Sequence, residues 1–175
     1  RIEDAKRASG EALGISTSFG EAYYKAQEAT QTKLPEEGTV LLSVCDRDKP
    51  ELIEIATAFH DLGFKLLATG KSYEMIKEAG IPCEKIYKLY EGSRPNIADA
   101  ITNGDIQMII NTPAGKTSIY DDSYIRKAAI KHRIPYMTTM AAAKASAEGI
   151  KAVKNNHHIG VKSLQAHHAD IKEKL

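Results

Sequence analysis

From about residue 38 the chain repeats one pattern: a short apolar run rich in β-formers, an amphipathic helical stretch, then a glycine stop. This alternation constrains the fold more than any other feature, because strands separated by helices pair in parallel through right-handed crossovers. Gly38-Thr-Val-Leu-Leu-Ser-Val44 has the compact apolar character of a buried strand. Asp48 stands at a helix N-cap position with Pro50 in the first turn, and Leu52, Ile55, Ala56, Phe59 and Leu62 follow at helical spacing up to Gly63. Phe64 to Ala68 is the second strand, and Ser72 is placed to cap a short helix with Met75, Ile76 and Ala79 on one face. Ile81 to Leu89, the highly apolar Ile106 to Ile110, and Ile134 to Thr138 supply the remaining strands. Between and after them, helices are expected from Pro95 to Gly104, from Asp121 or Asp122 to His132, and from about Thr139 to Ala147. Five such units predict an α/β fold: a three-layer, doubly wound, flavodoxin-like five-stranded parallel sheet, ordered 2-1-3-4-5.

Three segments follow from this rhythm. Residues 1–36 lie outside it and carry one amphipathic helix over Phe19 to Ala29 (Phe19, Ala22, Tyr23, Ala26), followed by a polar linker. Residues 37–154 form the α/β unit, and 155–175 a tail rich in His and Lys in which Ser163 caps a last short helix. With 175 residues, 42% hydrophobic and 27% charged, the chain suits one well-buried domain with an appendage. A net charge of +1 argues against a dedicated nucleic-acid or membrane surface, and no run reaches the roughly 18 apolar residues of a membrane span. Cys45 and Cys83 are too few for a disulfide framework, so a reducing, cytoplasmic setting is expected. The start at Arg1, without methionine, fits processing or a fragment of a longer polypeptide.

In an open parallel sheet, ligands bind beyond the carboxyl ends of the strands. Here those ends read Ser43-Val-Cys-Asp-Arg-Asp-Lys49, Ala68-Thr-Gly-Lys-Ser72, Lys88-Leu-Tyr-Glu-Gly-Ser-Arg-Pro95, Asn111-Thr-Pro-Ala-Gly-Lys116 and Met137-Thr-Thr139. Hydroxyls, amides and cations at helix N-termini suit a phosphate-bearing small molecule. The plain alternative is ordinary polarity where strands meet solvent. Gly70-Lys71-Ser72 and Gly115-Lys116-Thr117 mimic the end of a P-loop, but Lys65 and Ile110 occupy the positions of its first glycine. Both fragments therefore fail the triphosphate-loop motif, while a single-phosphate site at the Ser72 helix start stays open. His60 and His132 lie late on helices, and the pairs His157-His158 and His167-His168 lack zinc-site spacing. Cys45 has no base spaced to activate it, and the aspartates at 46, 48, 99, 121 and 122 suit helix caps.

Leu41-Leu-Ser-Val44 with Asp48-Lys49, Ala68-Thr69, Glu78-Ala-Gly-Ile81, Lys88, Glu91-Gly92, Ile109-Ile-Asn-Thr112 and Ile125-Arg126 together resemble the methylglyoxal-synthase-like domain. The resemblance is to the version at the C-terminus of the large subunit of bacterial-type carbamoyl-phosphate synthase. Ser9-Gly-Glu-Ala-Leu-Gly14 and Phe19-Gly-Glu-Ala-Tyr-Tyr-Lys-Ala-Gln27 are similar to the end of that subunit's second ATP-grasp region, and Ser163-Leu-Gln165 with His168 to its C-terminus.

The resemblance implies a non-catalytic allosteric domain that binds UMP as inhibitor or IMP as activator and needs no cofactor of its own. It implies a nucleotide site of Ser43, Lys49, Thr69, Ser72, Lys88, Asn111 and Thr112, with Thr138 at an ornithine-related position. Partners implied are the synthetase domains of the large subunit, which would hold ATP, Mg and K, and the glutaminase small subunit, with homo-oligomer contacts possible. Pro113 stands where a second threonine is usual, which counts against IMP. Met137 replaces an aspartate, which counts against an ornithine response and leaves UMP as the effector expected. Methylglyoxal synthase shares the fold, but Arg94 stands at about its catalytic aspartate and no histidine follows strand four. The IMP cyclohydrolase domain also resembles residues 38–92, yet its Lys-Thr-Leu-His-Pro stretch is absent. A nucleotide-sensing module of another multidomain enzyme is the remaining alternative.

Overall fold

The structure is a computed structural model that describes residues 13–30, 32–112 and 119–155, with 163, 165, 166, 168 and 169 of the tail. Pro113, the Gly115-Lys116-Thr117 fragment, the Ser9 to Ala12 part of the N-terminal motif, His157, His158 and His167 lie outside the described residues. The elements in chain order are α1 (Phe19–Glu28), β1 (Thr39–Ser43), a 3-10 turn (Asp46–Glu51), α2 (Leu52–Asp61), β2 (Lys65–Thr69) and α3 (Gly70–Glu78). Then come β3 (Glu84–Ile86), a second 3-10 turn (Leu89–Glu91), α4 (Ile97–Asn103), β4 (Met108–Asn111), α5 (Ile119–His132), β5 (Tyr136–Met137) and α6 (Met140–Asn155).

All neighbouring strands pair in parallel, and the sheet order is β3-β2-β1-β4-β5. The expected doubly wound, three-layer architecture is present, but the expected order 2-1-3-4-5 is corrected to 3-2-1-4-5. Burial explains the difference. Val40 to Ser43 and all of β4 are buried, so both strands need neighbours and covering helices. Glu84 and Lys85 are exposed on β3, whose charges suit an edge. The switch point therefore falls between β1 and β4.

Period-two alternation divides the sheet between two cores. Val40, Leu42, Leu66, Ala68, Met108, Ile110 and Met137 pack with residues of α1, α2, α3 and α6. Leu41, Ile86 and Ile109 face the other way, against Ile97 and Ile101 of α4 and Ile125 and Ala129 of α5. Phe59 on α2 is fully buried and meets Phe64 edge-on at 5.7 Å. Burial of such a side chain contributes about 1.5–3 kcal/mol.

Two helices differ from expectation because of glycine. In α1, Ser18 caps the first turn by accepting from the Glu21 N–H, and Phe19 is 69% exposed rather than inward-facing. Gly20 and Tyr24 form the buried face. A Cβ on Gly20 would lie 2.9 Å from the Glu148 carbonyl carbon, and one on Gly149 would lie 2.9 Å from the Gly20 oxygen. Gly149 thus marks a close helix–helix approach, and α6 runs through it to Asn155 instead of stopping near Ala147. Burial in this contact pushes the Tyr24 phenol up to about 12. Gly149→Leu should destabilise the chain by about 1–3 kcal/mol in urea unfolding, because backbone has no room to give. Lys151→Ala, at an exposed position on the same helix, should stay within about 0.5 kcal/mol of the parent.

Candidate functional site

At the switch point Ser43, the last residue of β1, lies opposite Asn111, the last of β4. Among the described residues the buried polar side chains are Ser43, Thr69, Ser72, Asn111, Thr112 and Ser146, each at most 3% exposed. Ser146 only donates back to the Ala142 carbonyl within α6. The other five stand at or just beyond the carboxyl ends of β1, β2 and β4, and all five are among the positions that the family resemblance points to. Buried polar groups must find hydrogen-bond partners, and here they find one another and the chain that leaves β1.

Thr69 Oγ1 donates to Ser43 Oγ at 3.1 Å. Two hydroxyls joined in this way use one proton between them, which leaves the second free to donate to a ligand. Ser72 Oγ accepts from the Val44 N–H at 3.2 Å and donates to the Val44 carbonyl at 3.3 Å. From the other side, Thr112 Oγ1 accepts from the Cys45 N–H at 3.0 Å, and the Thr112 N–H donates to the Ser43 carbonyl at 3.1 Å. The segment Ser43 to Cys45 is clamped between β2–α3 and the end of β4. Asn111 turns toward α5 and β5, its amide nitrogen donating to Asp122 Oδ1 (2.9 Å) and to the Tyr136 hydroxyl (2.8 Å).

The start of α3 has no side-chain cap. Thr69 occupies the N-cap position in extended backbone, but makes no capping bond to the helix, its hydroxyl being committed to Ser43. Gly70 takes φ +46 with nothing within 4 Å of an added Cβ, so the left-handed backbone, not space, calls for glycine there. The uncapped N–H groups and the positive end of the helix dipole favour a phosphate or carboxylate. The expected cap, Ser72, is instead the third residue of the helix and reaches across to β1.

Asp48 is a second correction. Pro50 lacks an N–H and restricts Lys49, so a 3-10 turn intervenes and α2 begins only at Leu52. The Asp48 carboxylate accepts from Arg47 (2.9 and 3.2 Å) and from Cys45 Sγ (3.3 Å). Arg47 foremost, with Cys45 and Thr112 hydrogen bonds, holds its carboxyl down to about 2. Its ionised form therefore favours the fold above the ordinary 3.8, a contribution lost as the pH falls toward 2. Asp121 and Asp122 likewise lie inside the first turn of α5 rather than ahead of it, and Asp122 serves Asn111.

The cations are arranged differently from the hydroxyls. Lys49 has a side chain only 13% exposed and pairs with Asp46, which is 77% exposed. Lys71 reaches the other Asp46 oxygen at 4.0 Å. Lys88 follows two residues after Ile86, the register partner of Thr69, and holds its ammonium 5.8 Å from the Tyr90 ring centroid. Thr138 is half-buried beyond Met137, whose apolar side chain lies in the core, and it is Thr139 that caps α6 by accepting from the Ala142 N–H.

Sequence reasoning missed Asp46, Asp122 and Tyr136. Asp46 was legible as an acid beside a strand-end lysine, whereas Asp122 and Tyr136 join Asn111 only through the fold. Arg94 pairs with Asp99 at 3.0 Å on the surface, and the described histidines, His60, His132 and His168, stand on helices or in the tail. A cavity of about 400 Å³ lies elsewhere, between α2 and α6. Thr112→Val should cost about 1–3 kcal/mol in urea unfolding, since the buried Cys45 N–H loses its acceptor, while Thr112→Ser should retain most of the stability.

The model of the MGS-like domain family matches residues 51–138. The chain is 45% identical, over 92% of its length, to the carbamoyl phosphate synthase large chain, C-terminal section, of Aquifex aeolicus. It is 51% identical over 85% of its length to the corresponding section of Methanopyrus kandleri. To the carbamoyl phosphate synthase large chain of Acidobacterium capsulatum it is 47% identical over 93% of its length. The chain spans 30%, 27% and 15% of these relatives respectively. The solved structure of methylglyoxal synthase from Elizabethkingia anophelis shares the fold, with TM-score 0.52 and 19% identity over 63% of this chain and 77% of that one. Parallel sheet, strand-end hydroxyls and matched sequence converge: the chain belongs to the MGS-like domain family, in the form found in the C-terminal section of carbamoyl phosphate synthase large chains.

Proposed function

We propose that this chain is the effector-binding regulatory domain of a carbamoyl-phosphate synthase large chain. It takes a nucleotide monophosphate, UMP foremost and IMP as the alternative, at the carboxyl ends of β1, β2 and β4. The observation that carries this reading is the gathering of Ser43, Thr69, Ser72, Asn111 and Thr112, all buried, around an uncapped helix N-terminus. The phosphate would rest at the start of α3, accept from the Ser43–Thr69 pair, and draw in Lys49 and Lys88. These hydroxyls clamp Ser43 to Cys45. A ligand that recruits them would re-order the segment leading into α2. Such a change biases the domain and its synthetase neighbours between two arrangements, and a coupling of ~1–3 kcal/mol would alter apparent affinity several-fold to a hundredfold.

The parent enzyme would make carbamoyl phosphate from glutamine, bicarbonate and ATP for pyrimidine and arginine synthesis in the cytoplasm. Residues 1–36 would belong to its preceding synthetase region, where ATP, Mg and K would act, and a glutaminase subunit would be the further partner. Calorimetric titration with UMP, IMP and GMP tests the reading: saturable binding of UMP is expected, and no binding of any nucleotide would contradict it. Lys88→Ala should weaken UMP by about tenfold or more, as loss of a charge-assisted phosphate contact requires. Equal affinity would remove Lys88 from the site. Dihydroxyacetone phosphate should not be turned over, because Arg94 is tied to Asp99 where the lyase needs a base.

A further inference from the structure

Asp46 places a negative charge in the segment that leaves β1, beside the proposed phosphate site. It is the third residue beyond β1 and its side chain is 77% exposed, yet both oxygens are engaged by cations from the two loops that flank the site. One accepts from the ammonium of Lys49, whose side chain as a whole is 13% exposed, and the other lies 4.0 Å from that of Lys71 in the first turn of α3. The Lys49 stem is largely covered while its head meets an exposed carboxylate, so the chain supplies this cation with a counter-charge of its own. Hydrogen bonding from Lys49, then the charges of Lys49 and Lys71, lower the Asp46 carboxyl below its ordinary range.

We propose that Asp46 is an internal competitor for the effector's phosphate, holding Lys49 and facing Lys71 until a phosphate monoester binds and displaces it. The inference rests on the nucleotide reading above. A phosphate carries about −1.5 to −2 charge and three strong acceptor oxygens, so it replaces an exposed carboxylate with a net gain in charge and hydrogen bonds. The exposed Asp46 side chain is held by little, since ion pairs at the surface are individually weak. Its displacement adds Lys71 to the binding set beside Lys49. The sign is diagnostic: neutralising Asp46 raises affinity for inorganic phosphate and nucleotide alike. A carboxylate that gripped ribose hydroxyls would, when neutralised, weaken UMP binding and leave phosphate unchanged.

The test is calorimetric titration of the 175-residue chain with inorganic phosphate and with UMP at fixed ionic strength. It compares the parent, Asp46→Asn, and Asp61→Asn, which makes the same change in net charge at the far end of α2. Asp46→Asn should bind both probes about three- to tenfold tighter, from the lost competition and lost repulsion, with Asp61→Asn within about twofold of the parent. Binding by Asp46→Asn alone, with the parent below detection, also supports the proposal. Equal or weaker binding by Asp46→Asn than by a parent that binds overturns it and leaves the nucleotide site standing. So does equal tightening in Asp46→Asn and Asp61→Asn. No binding by any of the three proteins overturns both readings.

Discussion

Parallel pairing of β1 with β4 carries the rest of the molecule. Four register pairs, from Val40 with Met108 to Ser43 with Asn111, join two strands that are buried along the whole paired length. Strands in such a position need apolar residues on both faces, and Leu41 and Ile109 on one side with Leu42 and Ile110 on the other provide them. The same pairing sets where the chain reverses its direction of travel across the sheet. β1, β2 and β3 spread one way, then α4 brings the chain back to lay β4 against the free side of β1. Loops leaving β1 and β4 must part there, which opens a crevice at their carboxyl ends.

The strand ends hold polar groups that the sheet could not otherwise tolerate. A hydroxyl buried without a partner costs about 1–3 kcal/mol, so each of the five is spent on a neighbour. Thr69 with Ser43, Ser72 with Val44, and Thr112 with Cys45 form cross-links between consecutive strand ends. Asp46 does for the cations what these bonds do for the hydroxyls. Apart from one hydroxyl proton of the Ser43–Thr69 pair, these groups are satisfied within the chain, and in the proposed reading a ligand would act by exchange of partners. That property suits a regulatory site, because a ligand that trades internal contacts for its own necessarily changes the loops that made them.

Much of this was readable from residues because it is local or periodic. Helix α2 follows from Leu52, Ile55, Ala56 and Phe59, all buried as their spacing requires. The apolar runs mark where the strands must end and so which polar stretches follow them, while the choice of Ser43, Thr69, Ser72, Asn111 and Thr112 within those stretches comes from the family resemblance. What escaped is long-range. Strand order depends on which runs are buried on both faces, and the exposed Glu84 and Lys85 were the overlooked signal that β3 is an edge. Thr69 takes the N-cap position that Ser72 was expected to fill because Ser72 has its partner in Val44, just beyond β1 and 28 residues away. Phe19 faces solvent because Gly20 and Gly149 let two backbones meet, a contact visible only when both helices are placed.

The most direct measurement is amide chemical-shift mapping of the 15N-labelled chain as UMP is added. The account predicts saturable shifts at Ser43 to Lys49, Thr69 to Ser72 and Asn111 to Thr112, with the α2–α6 cavity around Ala58 and Ala147 unaffected. Shifts centred on that cavity, or none at the strand ends at saturating UMP, would contradict it.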